Sequence, residues 1–201
     1  EGLVAKCVRK RYRLNSYRGE ITDAPPNLIN RDFSAGALNE KWLTDITEMK
    51  AADVKLYLSP IIDCFDGMVV AWEISEHPDA ALANSMLEQA IEKLPCTAKP
   101  LVHSDRGVHY RWDGWIDLMR RHGLTRSMSH KGCSPDNSAC EGLFGRLKVE
   151  MYFGEGWEKR TLAELREAVD AYLHWYNEER IKVSLGGLSP LQYRRQLGLA
   201  A

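Results

Sequence analysis

Long apolar runs are missing from this 201-residue sequence: none approaches the ~18 residues that cross a bilayer, so no membrane span is expected. No stretch has the charged, apolar and small-residue order of a secretory leader. Cysteine is sparse and scattered (Cys7, Cys64, Cys96, Cys133, Cys140), with no CxxC pair and no histidine at zinc-finger spacing. That argues against a zinc ribbon or a disulfide framework and for reduced thiols. An excess of one charge is absent too. Lys and Arg number 27 against 28 Asp and Glu, a net charge of −1, which does not suit a strongly basic nucleic-acid binder. Internal repeats and low-complexity segments are lacking as well. The first residue is Glu1 rather than Met, which suggests a fragment with sequence upstream.

What is present is an ordinary globular composition, 44% hydrophobic and 27% charged. At this length a single domain buries a substantial core and needs no metal or disulfide to hold it. Charge is unevenly placed. Residues 1–18 carry Lys6, Arg9, Lys10, Arg11, Arg13 and Arg18 against one acid, Glu1. This is either an arm along phosphates or a solvated linker. Residues 1–35 read as an irregular lead-in with Pro25-Pro26, residues 36–155 as the core, and 156–201 as a helical extension of it.

Within the core, Trp42–Thr47 is a β-rich run, followed by runs at 54–65 and 68–75. Asp66-Gly67 between them predicts a tight hairpin turn of type I′. Pro60 lacks an N–H, which predicts a bulge or an edge. Leu82, Met86, Leu87, Ala90, Ile91 and Leu94 recur at helical steps. A strand at 100–104, a helix at about 111–121 closed by Gly123, and a short strand at 124–128 follow. Ser134-Pro135 reads as a helix start, with the helix reaching about Glu150. A last amphipathic helix begins near Thr161. The order predicts an α/β domain with a mixed sheet flanked by helices.

Three acids stand out by position. Asp45 interrupts an apolar strand, where a carboxylate needs a reason. Asp105 follows the strand Leu101–Ser104, and ligand sites gather at the carboxyl ends of strands in open α/β sheets. Glu141 lies on the helix opened by Ser134-Pro135. At 100° per residue, Asn137 and Lys148 share its face, whereas Asp136 and Glu150 do not. Carboxylates from separate elements suit hard divalent cations, which take oxygen ligands and can serve phosphodiester chemistry in pairs. Each acid also has a plain reading: Asp45 as a buried hydrogen-bonded acid, Asp105 as a turn cap beside Ser104 and Gly107, Glu141 as a solvated helix acid. Asp63 and Asp66 read as structural. The six tryptophans read mainly as core rather than base-stacking, and 152–159 as a mobile loop near the active site or a plain connection.

The motifs Trp42-Leu43-Thr44-Asp45-Ile46-Thr47, His103-Ser104-Asp105-Arg106-Gly107, Ser127-Met128-Ser129-His130-Lys131-Gly132, Asp136-Asn137, Glu141–Lys148 with Glu150, Trp175-Tyr176-Asn177 with Arg180, and Leu185–Pro190 occur in this order. Together they resemble the integrase-core transposases of bacterial insertion sequences, in the branch whose enzyme is made by fusing two reading frames. The resemblance spans residues 1 to about 195, and 35 residues separate Asp105 from Glu141, an interval shared with retroviral integrases. It implies a ribonuclease H-like fold with a five-stranded mixed sheet. It further implies DNA cleavage and strand transfer using two Mg²⁺ or Mn²⁺ ions on Asp45, Asp105 and Glu141. Lys148, Asn137, Lys131, Arg146 and Arg106 would meet DNA, with His103 and Ser104 as positioning residues. DNA ends and target, other copies of the chain, and an upstream DNA-binding segment would be the partners, in the bacterial cytoplasm at the nucleoid. A ribonuclease H-like nuclease and a non-catalytic regulator are the competing readings.

Overall fold

The computed structural model describes residues 22–52 and 54–199; the basic stretch 1–18 lies outside the described residues. Six strands form one mixed sheet in the order β2-β3-β1-β5-β6, with β4 paired to β3 on its other side. They are β1 (Lys41–Thr44), β2 (Thr47–Ala51), β3 (Val54–Asp63), β4 (Val69–Ser75), β5 (Leu101–Ser104) and β6 (Thr125–Met128). Five helices of the α type flank them among the described residues: α1 (Ala80–Glu92), α2 (Asp113–Arg121), α3 (Ser138–Leu147), α4 (Leu162–Glu178) and α5 (Pro190–Gln196).

The count of five strands expected from sequence survives in a physical sense. β1 and β2 pair with β3 in one shared antiparallel register, Thr44 opposite Ile61 and Thr47 opposite Leu58. They are two halves of one strand, broken at Asp45-Ile46, which this register sets opposite Pro60 and Ser59. Pro60 has no N–H to offer there, and the ladder opens where the acid sits. Pro60 is therefore neither at an edge nor at the bulge: it is in register with Trp72 of β4, and the shift falls one step on, between Ile61 and Ile62. The turn from β3 to β4 also differs from the expected two-residue form. It is a five-residue loop in which Gly67 alone takes a positive φ, 72°.

Alternation along the strands divides the core into two layers. Leu43 joins Leu56, Leu58 and Ile62 beneath α3 and α4, while its neighbour Trp42 joins Ile61 and Val102 beneath α1 and α2. The helix of the presumed extension belongs to the first layer. α4 starts from a capping box between Thr161 and Glu164 and inserts Leu165, Val169, Leu173 and Tyr176. The Leu185–Pro190 motif is the turn into α5: Gly186 and Gly187 hold φ of 68° and 81°, and Ser189 caps the helix at Gln192. α5 then places Arg194 against Asp66 at 2.5 Å and Asp63 at 3.1 Å, all three buried.

The stretch 152–159 is not beside the carboxylates. After α3 the backbone makes a π-turn at Lys148–Tyr152. The Tyr152 hydroxyl donates to the Lys50 carbonyl at 2.9 Å and accepts from its N–H at 3.0 Å. Ala52 N–H donates to Trp157 at 3.0 Å. Trp157 is buried, so the segment covers the free edge of β2.

Candidate active site

β1 and β5 run parallel, Lys41 beside Leu101 and Thr44 beside Ser104. Continuing that register by one residue sets Asp45 next to Asp105, at the carboxyl ends of adjacent strands. Neighbouring strands lie about 4.8 Å apart, so the two backbones bring their carboxylates into one neighbourhood. Glu141, in the first turn of α3, lines the same open cleft of about 470 Å³, as do Arg106, Gly107, Ser129, His130, Gly132, Cys133 and Asn137. Acids from β1, β5 and α3, far apart in sequence, thus converge on one depression.

Asp45 and Asp105 are each held by a nearby backbone N–H. Asp45 Oδ1 accepts the Ile46 N–H at 2.8 Å, and Oδ2 accepts Asn137 Nδ2 at 3.2 Å. Asn137 occupies the N-cap position of α3, yet its side chain does not cap the helix. It is buried and turned to Asp45, leaving its Oδ1 without a partner. Asp105 Oδ1 accepts Gly107 N–H at 2.8 Å in an Asx turn. A Cβ on Gly107 would stand 2.9 Å from that oxygen and 3.0 Å from His109, so the site needs glycine for space. Its φ of −53° is ordinary. Burial pushes the Asp45 carboxyl up to about 7, and the charges of Asp105 and Glu141 add to the push. Three carboxyls share this cleft with the single arginine Arg106.

His103 and Ser104 are both buried behind the cleft. His103 Nε2 lies 3.0 Å from the Asp136 carbonyl, which only accepts, so Nε2 carries the proton. Nδ1 then accepts the Ser127 hydroxyl at 2.8 Å, and burial lowers the pKa, keeping the ring neutral. The ring ties β5 to β6 and to the turn that delivers Asn137. Ser104 Oγ donates to the Asp105 carbonyl at 2.9 Å.

The cationic candidates divide. Arg106 lines the cleft and donates Nε to the Ser129 carbonyl at 3.0 Å. Lys131 is exposed on the adjoining turn, and exposed Arg146 reaches back beside Gly142. Lys148 does not line the cleft; its charge reaches Glu48 of β2, which pairs more closely with Lys55. The helical-wheel expectation assumed one helix from Ser134 to Glu150, whereas α3 spans only Ser138–Leu147 between a 3₁₀ turn and the π-turn.

Sequence reasoning gave no role to Asp136 or His130. Asp136 is buried and accepts Arg31 Nε at 2.8 Å, Asn27 Nδ2 at 3.0 Å, and His130 through both N–H at 3.0 Å and Nδ1 at 2.8 Å. Two of these partners lie more than a hundred residues away, beyond any local pattern. Segment 22–31 is strapped along this edge, Leu28 N–H donating to Ser127 Oγ at 2.9 Å.

All three acids offer oxygen, as hard divalent cations require. Among the described residues no three His, Cys, Asp or Glu side chains converge tightly enough to hold one ion. This does not disqualify Mg²⁺, which commonly binds through one or two carboxylates and completes its shell with water and phosphate. The raised Asp45 carboxyl and the orphaned Asn137 oxygen fit a site relieved by a cation.

A mixed sheet covered by helices, with acids at the ends of adjacent parallel strands, defines a ribonuclease H-like domain. Solved structures agree on the fold. The HTLV-2 integrase catalytic core domain in complex with magnesium superimposes with TM-score 0.60 at 20% identity, covering 77% of this chain and 95% of that one. The BIV integrase catalytic core gives 0.60 at 18% identity, covering 80% and 96%. Family models described as integrase core domain match residues 36–134 and 141–197. The "Probable transposase for insertion sequence element IS1353" of Shigella flexneri is 56% identical over 99% of this chain and 38% of its own length. An uncharacterized transposase-like protein of Haemophilus influenzae is 45% identical over 97% and 88%, and a transposase InsF of Escherichia coli, for insertion sequence IS3A, 36% over 98% and 67%. The chain belongs to the integrase core domain family, among the transposases of insertion sequences.

Proposed function

We propose that this chain is the catalytic core of a DNA transposase, a polynucleotidyl transferase whose Asp45, Asp105 and Glu141 hold two Mg²⁺ or Mn²⁺ ions. The observation that carries this reading is the register of β1 and β5, which sets Asp45 beside Asp105 in a cleft that Glu141 also lines. Divalent cations bound there would activate the attacking oxygen and stabilise the leaving one. The chain's own groups orient the acids: Asn137 and the Ile46 N–H fix Asp45, and the Gly107 N–H fixes Asp105. Arg106 at the cleft, with Lys131 and Arg146 beside it, meets DNA phosphates; Lys148 reaches a more distant one past Glu48. Water cuts at the transposon end, and the freed 3′-hydroxyl attacks a second phosphodiester.

The near-neutral net charge supports a division of labour in which an upstream segment recognises the transposon ends. The active assembly contains several copies of the chain and works on the bacterial nucleoid. No helix among the described residues is long and apolar enough to cross a membrane. The test is strand joining by the full-length transposase on duplexes carrying the element's own ends. Asp45→Asn, Asp105→Asn and Glu141→Gln should each abolish both cutting and joining. Joining that survives in any of them refutes the assignment; wild-type cleavage of RNA–DNA hybrids without joining would replace it with a nuclease.

A further inference from the structure

His130 lines the same cleft as the three acids but lies on the loop after β6, not on the helix that carries Glu141. Its ring is fixed from one side only. Nδ1 stands 2.8 Å from Asp136 Oδ2, and the backbone N–H of the same residue donates to that oxygen at 3.0 Å. The Asn27 amide Nδ2 also stands 3.3 Å from Nδ1, farther than the Asp136 oxygen. Its Oδ1 accepts from the Ile29 and Asn30 N–H groups at 3.1 and 2.9 Å, so its Nδ2 faces Asp136 as a donor. A carboxylate that receives donors from Arg31, Asn27 and the His130 backbone stays ionised, and Nδ1 must bear hydrogen to approach it. Donation from these groups holds the Asp136 carboxyl far below the usual range. In the neutral ring Nε2 is then an unprotonated lone pair. It has no hydrogen-bond partner among the described residues, and the side chain is 65% exposed.

We propose that His130, held in this tautomer by Asp136, is a proton acceptor for the attacking hydroxyl in the phosphodiester chemistry. In the step, the O–H bond of water or of the 3′-hydroxyl breaks as a new O–P bond forms. The proton passes to Nε2 of His130, the P–O bond to the leaving oxygen breaks, and the imidazolium later returns its proton to solvent. Asp136 stabilises the imidazolium charge across the 2.8 Å contact and keeps the ring turned toward the cleft. The acceptor lines the same cleft as Asp45, Asp105, Glu141 and Arg106, where a bound strand would present its reacting phosphate.

This inference rests on the transposase reading, and its test separates the two. In the full-length transposase, His130→Ala should lower single-turnover cleavage about 10²-fold, the low end of general-base contributions, with Mn²⁺ affinity and DNA affinity unchanged. Imidazole added to that variant should restore at least about tenfold, an effect that repair of a merely structural gap would not give. In the wild-type chain, ¹⁵N-histidine NMR should show neutral His130 protonated at Nδ1. Wild-type rates in His130→Ala, a loss confined to DNA affinity, a loss imidazole leaves untouched, or hydrogen at Nε2 would each overturn the proposal. Failure of the transposase reading would look different: the wild-type enzyme would neither cut nor join, whatever residue stands at 130.

Discussion

Asp45→Asn should make the metal-free protein more stable while destroying its chemistry. Burial, with the charges of Asp105 and Glu141, raises the Asp45 carboxyl from 3.8 to about 7. A folded pKa above the unfolded one means that the folded state holds more protons. Stability therefore falls as pH rises from about 4 to about 7, and the penalty is complete above that. A rise of that size corresponds to about 4 kcal/mol, which the water in an open cleft reduces to about 1–3 kcal/mol. The replacement amide keeps the bond from Ile46 N–H through its oxygen. Its NH₂ would face the Asn137 NH₂, but Asn137 has a buried Oδ1 without a partner and needs only to turn over. At ~2–4 °C per kcal/mol for a chain of this size, the variant should melt about 5 °C above wild type near pH 8 in EDTA. At pH 5 the unfolded carboxyl is already ionised and about a third of the gain should remain; near pH 4, where the carboxyl is largely protonated folded or unfolded, the gain should nearly vanish. Circular dichroism melts at pH 8 and pH 4 settle it: a variant less stable at pH 8, or a gain undiminished at pH 4, refutes the electrostatic reasoning.

The same carboxyl makes metal binding compete with a proton. Apparent Mn²⁺ affinity should weaken about tenfold for each pH unit below about 7 and level off above it, and a flat titration from pH 5 to 8 would contradict this. Gly107→Ala should leave the melting temperature within a few degrees of wild type but cut strand cleavage about 10²-fold, because the new methyl displaces the Asp105 carboxylate; full activity would show that Asp105 tolerates the shift. Arg194→Met leaves Asp63 and Asp66 buried without their cation and should cost about 3–5 kcal/mol in urea denaturation, most of it recovered on adding Asp63→Asn and Asp66→Asn. A loss under 1 kcal/mol would mean the pair is hydrated in solution.

The strands that position the acids were legible as short apolar runs, Asp105 following its own, although Asp45 was read inside a run that in fact breaks there. Their parallel adjacency was not legible, since nothing in either run names its partner. The π-turn at Lys148–Tyr152 was invisible: its sequence suits an α-helix, and what bends it is the docking of Tyr152 and Trp157 on the β2 edge. Lys148 itself still continues α3 from Glu141 with helical backbone, and its charge acts on Glu48 of β2. Pro60 was recognised as a break in a ladder, but its meaning depends on facing Asp45, a long-range fact. Asp136 was set aside as pointing off the Glu141 face, and it does; its importance comes from Arg31, Asn27 and His130, which tertiary structure alone assembles.

Mn²⁺ binding followed by electron paramagnetic resonance, with a transposon-end duplex present, tests the central claim most directly. The chain should bind saturably near pH 8, and Asp45→Asn, Asp105→Asn and Glu141→Gln should each lose that binding while remaining folded. Binding that persists unchanged in all three variants would contradict the assignment of this cleft as the metal site.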